Sequence, residues 1–318
     1  MRTRPTKLQT VFRLCLASSL LVAGAGGATT ATTAASGQVG TLTFQRHGDH
    51  GRPVILIPGL ECGPWVWRQT IADLEKNHVV YAVTLAGFDG VPAPALDAKA
   101  GTLLDRADAS LLQLIEQQHI DKPVLVGHSI GGTLSLRFAG EHANLISGVV
   151  AVDGLPIFPG MDQVSAAQRQ AIAVRMKAKL AAETPAQFKA QALPYMQHIG
   201  VIDPKIAERT APLVARSDEQ ATVDYMSEDT AADYRPGLKE ANVPILEIMP
   251  YYEPDARAFA AMYKKPEPSE AQKAAYYQGL LANAPDAKVV PVSPSRHFVM
   301  LDQPAKFRQV LDGFLQSL

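Results

Sequence analysis

The chain has 318 residues, 30 Lys and Arg against 31 Asp and Glu, a net charge of −1, and 47% hydrophobic and 19% charged residues. That balance excludes a disordered tail, a collagen-like rod and a multi-span membrane protein, and it supplies no global field for nucleic acid. The length fits either two domains or one α/β domain carrying an insertion.

Residues 1–13 hold Arg2, Arg4, Lys7 and Arg13 and no acid. Leu14 to Ala23 is an apolar run, and small residues follow, with A-x-A-like sites ending at Ala25 or Ala35. This order predicts a secretory signal peptide and small-residue linker over residues 1–35. The expected product is exported, periplasmic or secreted, without a stable membrane span after cleavage. The apolar run is well short of the roughly 20 residues needed to cross a bilayer. The cysteines are Cys15 and Cys62. With Cys15 in the signal, the processed chain keeps one thiol and must rely on its core instead of a disulfide.

From residue 36 onward short β-rich runs alternate with helical stretches. Strands are expected at Leu42–Arg46, Val54–Ile57, Val79–Thr84, Val124–Val126, Ser147–Val152, Ile245–Ile248 and Lys288–Val292. Runs such as VILI, VLV and VVAV lack polar alternation, as in strands covered on both faces. Leu103–Gln118 places Leu103, Leu104, Ala107, Leu111, Leu114 and Ile115 on one helical stripe, and Phe307–Leu318 forms a closing amphipathic helix. The alternation predicts an α/β fold with a mostly parallel sheet. From Pro156 to Glu240 it stops. Ser165 with Gln168 and Thr184 with Gln187 read as capping boxes there, the second with Pro185 at the first helical position. Residues 36–318 are therefore one domain, with a helical cap at about 156–240 over the sheet's C-terminal edge.

Three segments carry chemistry. In the first, the strand at Val124–Val126 runs into Gly127-His128-Ser129-Ile130-Gly131, and a helical segment follows. G-x-S-x-G between strand and helix is the setting of a nucleophile elbow, which exposes the serine hydroxyl on a strained turn. The second is Val54-Ile-Leu-Ile-Pro58-Gly59-Leu60. The Leu60 amide in that loop and the Ile130 amide after the serine are the expected oxyanion donors. In the third, His297 follows the last strand and precedes the final helix, where an imidazole can reach Ser129 as general base. His128 is read as shaping the elbow, and Cys62, Trp65 and Trp67 as packing residues. No H-E-x-x-H, C-x-x-C or G-x-G-x-x-G occurs, so neither metal nor cofactor is expected.

With these segments in hand, residues 40–318 resemble the α/β-hydrolase superfamily. The resemblance rests on ILIPGL (55–60), VGHSIGG (126–132), DYRPGLKEANVPIL (233–246) and RHFVMLDQPAKF (296–307). It implies an eight-stranded, mostly parallel sheet with helices on both faces and a cap inserted after the sixth strand. It also implies a triad of serine, acid and histidine, with the acid usually after the seventh strand. There the sequence departs from the family: Pro250 stands for the usual Gly and Glu253 for the usual Asp, with Asp255 two residues on. Some members carry the acid after the sixth strand, which is Asp153 here. Asp153 is the first choice, Glu253 the alternative and Asp255 the third.

The sequence reading is an exported serine hydrolase of small-molecule carboxylic esters. Amide or peptide hydrolysis, and acyl transfer, are alternatives on the same triad. A non-catalytic binding protein is the rival from another class.

Overall fold

A computed structural model describes residues 35–95 and 98–318. The expected signal peptide lies, apart from residue 35, outside them. One sheet of eight strands organises the described residues: β1 (Ser36–Val39), β2 (Leu42–His47), β3 (Pro53–Ile57), β4 (Val79–Leu85), β5 (Val124–His128), β6 (Gly148–Val152), β7 (Ile245–Pro250) and β8 (Ala287–Val292). Their order in space is β1-β2-β4-β3-β5-β6-β7-β8. The first two strands pair antiparallel with each other, as do β2 and β4, and every later pairing is parallel. The sheet and its topology are those of the α/β-hydrolase fold. Strand β1 was not expected, since SGQV carries little apolar signal. It forms because a tight turn, with Gly40 at φ 54°, folds it back with Val39 opposite Leu42.

The apolar strands divide their side chains between two layers. Ile55, Ile57, Leu125, Val149 and Ala151 enter one core, while Val54, Leu56, Val124, Val126, Val150 and Val152 enter the other. Burying both faces is what their lack of polar alternation encodes. The helices are α1 (Arg68–Leu74), α2 (Leu103–Gln117), α3 (Ile130–His142), α4 (Ala166–Leu180), α5 (Pro185–Ala190), α6 (Ala192–Tyr195), α7 (Pro204–Val214), α8 (Glu219–Ala231), α9 (Glu253–Tyr263), α10 (Glu270–Leu280), α11 (Val299–Asp302) and α12 (Pro304–Ser317). Residues of α2 and α3 fill the first core, and residues of α1, α7 and α12 the second.

Helices α4 to α8 occupy the stretch between β6 and β7, where the strand pattern stops. Both expected capping boxes form, at Ser165 with Gln168 and at Thr184 with Gln187. The cap is fastened to the histidine loop through main chain: the amides of His297 and Phe298 donate to the carbonyls of Ile199 and Gly200, at 3.3 and 3.0 Å. Helices α9 and α10 were not singled out from sequence. Each has a start signal, Pro254 in α9 and a Ser269–Gln272 capping box in α10, but neither has a sharp apolar stripe. No helix among the described residues is long and apolar enough to cross a membrane.

Candidate active site

Ser129 sits at the abrupt junction of β5 and α3 with φ 53° and ψ −123°. A serine in this region costs on the order of 1–3 kcal/mol, which the surroundings must offset. They do so by holding its main chain at both ends. The Ser129 amide donates to Val152 at 2.9 Å, and its carbonyl accepts from Gly132 and Thr133. Both motif glycines are required by space. A Cβ on Gly127 would lie 2.1 Å from the Gly131 carbonyl oxygen, and one on Gly131 would lie 2.5 Å from that of Ile57. The first turn of α3 thus presses against the end of β3, bringing the Leu60 loop beside the serine. Leu60, Ser129, Ile130 and His297 all line one cavity of about 400 Å³.

His297 meets Asp153 directly, with Nδ1 2.5 Å from Oδ2. Asp153 follows β6 with φ 49° and donates its own amide to Ile248 of β7 at 3.0 Å. Its second oxygen, Oδ1, accepts from the Tyr277 hydroxyl of α10 at 2.6 Å. Burial alone would raise the Asp153 carboxyl. The hydrogen bond and charge of His297, with Lys273 and Tyr277, outweigh it and hold the group below the usual carboxylate range. An ionised Asp153 accepting at Nδ1 leaves Nε2 of a neutral His297 ring without a proton. Tyr277 has no sequence motif that could have revealed it.

The other two acid candidates are engaged elsewhere. Glu253 begins α9, keeps 48% of its side chain exposed and pairs with Arg257 one turn on. Asp255 takes both oxygens to Arg296, at 2.8 Å each. Arg296 also donates to the Val201 carbonyl and receives Tyr252 under its guanidinium. The structure therefore brings together Ser129, His297, Asp153, Leu60 and Ile130 around one cavity, and leaves Glu253 outside it.

His128 is fully buried beneath this arrangement. Its Nε2 lies 3.1 Å from the His297 carbonyl oxygen and its Nδ1 has no partner. Burial, reinforced by the nearby His297, pushes its pKa well below the ordinary histidine value, so the ring is neutral and Nε2–H is the donor. Phe298 and the His297 ring pack on it at centroid distances of 4.6 and 4.5 Å. Glu247 is fully buried in β7, and burial, with the adjacent Asp153 charge, pushes its carboxyl well above the ordinary value. The Cys62 thiol is buried and pushed well above its usual value, chiefly by desolvation.

One group of metal-type ligands occurs among the described residues, Asp108, Glu141 and His142. The Arg137 guanidinium already stands among them, 3.0 Å from Glu141 and 4.0 Å from Asp108. A resident cation of this kind offsets the charge a metal would neutralise, and the group lies outside the cavity.

The profile of the alpha/beta hydrolase family matches residues 54–310. The chain belongs to that family. Among curated relatives, rat 1-acylglycerol-3-phosphate O-acyltransferase ABHD5 (Rattus norvegicus) is 29% identical over 147 residues, 46% of this chain and 41% of the rat protein. The chain thus spans less than half the length of that relative. Among solved structures, the enol-lactonase of Burkholderia xenovorans LB400 superposes with a TM-score of 0.69 at 18% identity, covering 89% of this chain and all of the lactonase. A thermophilic esterase from Thermogutta terrifontis gives 0.68 at 17% identity, over 89% of this chain and 99% of the esterase. At such identities the two structures share the fold with this hydrolase-family chain, and its chemistry rests on its own residues.

Proposed function

We propose that the protein is a serine hydrolase that cleaves carboxylic esters through an acyl-enzyme. The observation that carries this reading is the strained Ser129 sharing a cavity with a histidine paired to a buried, ionised aspartate. His297 Nε2 takes the hydroxyl proton as Ser129 Oγ bonds to the substrate carbonyl carbon. The negative charge that develops on the carbonyl oxygen is met by the amides of Leu60 and Ile130, at the N-terminus of α3. The tetrahedral intermediate collapses by breaking the bond to the alcohol oxygen, which receives the proton from His297. Water, deprotonated by the same ring, then releases the acid and restores Ser129. Asp153 fixes the ring's tautomer and offsets its transient positive charge, with Tyr277 bracing the carboxylate.

Acyl transfer to a second acceptor uses the same first half-reaction, and the similarity to an acyltransferase over part of the chain favours keeping it as the second reading. The basic, apolar and small-residue order of residues 1–35 supports export of the mature hydrolase.

Fluorophosphonate labelling and p-nitrophenyl ester turnover test the central step. Ser129→Ala is expected to abolish labelling and reduce turnover by roughly 10³-fold or more. Wild-type turnover in that variant would remove Ser129 from the mechanism. Mass spectrometry of the protein exported by its native host tests processing, with an N-terminus between residues 26 and 36 expected. An exported protein still beginning at Met1 would contradict cleavage.

A further inference from the structure

The cavity beside Ser129 is lined by Glu61, Glu183 and Asp229 as well as Asp153, and by no Lys or Arg among the described residues. Two of these acids have protein partners. Asp153 holds His297, and Glu183 accepts a hydrogen bond from the Gln191 side chain. Glu61 and Asp229 have none: among the described residues neither carboxyl makes a hydrogen bond or an ion pair. Glu61 directly follows Leu60 in the loop leaving β3, with φ 60°. Asp229 lies in the last turn of α8, where the helix dipole presents its negative end and disfavours a carboxylate. Desolvation alone pushes each carboxyl up to about 7.

An unpaired acid in a cavity with walls such as Leu155, Ile157 and Met226 is unfavourable in the empty protein. A ligand that supplies a charged donor reverses that cost, and one that brings a carboxylate or phosphate adds to it. A primary alkylamine, protonated up to a pH of about 10, is such a donor. The remaining wall is apolar enough to accept the methylenes that carry it.

We propose that the cavity selects acyl substrates bearing a protonated amine, whose ammonium group is held by Asp229 of the cap, with Glu61 adding to the negative potential of the same cavity. The inference names a substrate class for the serine hydrolase proposed above, and it rests on that reading for its turnover measurements only.

Three p-nitrophenyl esters of similar length test it: 6-aminohexanoyl (cationic), heptanoyl (neutral) and the adipoyl monoester (anionic). At pH 8 the expected order of kcat/KM is cationic, neutral, anionic. The first two should differ by about 10- to 100-fold, carried mainly by KM, as a charge-assisted hydrogen bond supplies. Asp229→Asn is expected to bring the cationic-to-neutral ratio down at least about 10-fold and to improve the anionic ester relative to the neutral one. Glu61→Gln should act in the same direction and less strongly. A wild-type ratio near or below one, or a high ratio unmoved by both variants, overturns the proposal. Calorimetric binding of hexylammonium against 1-hexanol to the full-length protein separates the two readings. Should ester turnover and fluorophosphonate labelling both be absent, preferred binding of hexylammonium that disappears in Asp229→Asn sustains the ammonium site while the hydrolase reading falls. Equal binding of amine and alcohol rejects the site whether or not the protein turns over esters.

Discussion

Asp153 and Glu253 carry the same charge, and their surroundings separate their roles. Asp153 is buried against His297 and Tyr277, whereas Glu253 is half exposed and tied to Arg257 on its own helix. Asp153→Asn keeps the shape but stabilises the wrong imidazole tautomer, and is expected to lower kcat by up to about 10⁴-fold. Glu253→Gln should change kcat little, because an exposed i,i+4 pair is worth only about 0.3–0.5 kcal/mol. Steady-state kinetics of the two variants side by side decides between the acids, and a crippled Glu253→Gln would reverse the assignment. Tyr277→Phe removes one donor from a buried carboxylate without altering volume. Lost hydrogen bonds to charged groups cost about 1.5–3 kcal/mol, so kcat should fall by at least about 10-fold with KM little changed. Wild-type kcat in Tyr277→Phe would show that the hydroxyl does not brace Asp153. These two residues also mark the limit of the sequence at this scale. The elbow was legible because its glycines and serine are adjacent, while Tyr277 reaches Asp153 across 124 positions of chain.

Among the elements, the junction of β5 and α3 and the exposed Gly313 position of α12 make a contrast in how much change the backbone tolerates. Gly127→Ala would drive a methyl group into the Gly131–Gly132 peptide, which is main chain with nothing flexible to yield. Gly313, inside α12, has open space where a Cβ would stand. Gly127→Ala is therefore expected to destabilise strongly or to displace Ser129. Gly313→Ala should stabilise by about 0.4–1 kcal/mol through reduced freedom of the unfolded chain and better helix propensity. Denaturant melts of both variants check the contrast, and a stable, fully active Gly127→Ala would refute the close approach. The strands of the sheet were readable because burial on both faces leaves an uninterrupted apolar run. Strand β1 and helix α10 escaped because each draws its stability from neighbours more than from its own pattern: β1 from pairing with β2, and Tyr277 and Leu280 of α10 from a small core shared with Leu155, Ile157 and Met249.

At the scale of the whole molecule, the cavity acids make stability depend on pH. In the unfolded chain Glu61 and Asp229 ionise near their ordinary values of 4.5 and 3.8; in the folded protein they hold their protons to about 7. The folded state therefore binds more protons between about pH 4 and 7, and stability falls as pH rises through that window, then levels off with respect to these groups. Replacing both with amides removes this contribution. The double variant Glu61→Gln and Asp229→Asn is expected to melt higher than wild type at pH 8, with a smaller advantage at pH 5. Each kcal/mol gained corresponds to about 2–4 °C in a chain of this size. An advantage that is equal at both pH values would mean that the two carboxyls do not change ionisation on folding.

The sequence by itself determined the sheet's buried strands and the capped helices between β6 and β7, and it marked Ser129, His297 and the Leu60 and Ile130 amides as candidates, because each is written in local sequence: an apolar run, a capping pair, a glycine-flanked turn, a histidine after the last strand. Tertiary structure alone decided which carboxylate faces His297, which hydroxyl braces it, and that Glu61 and Asp229 look into the same cavity without partners. Those are relations between side chains brought together from the loop after β3, the end of β6, the cap and α10. Charge and hydrogen bonding act over a few ångströms, so only the folded chain sets which groups meet.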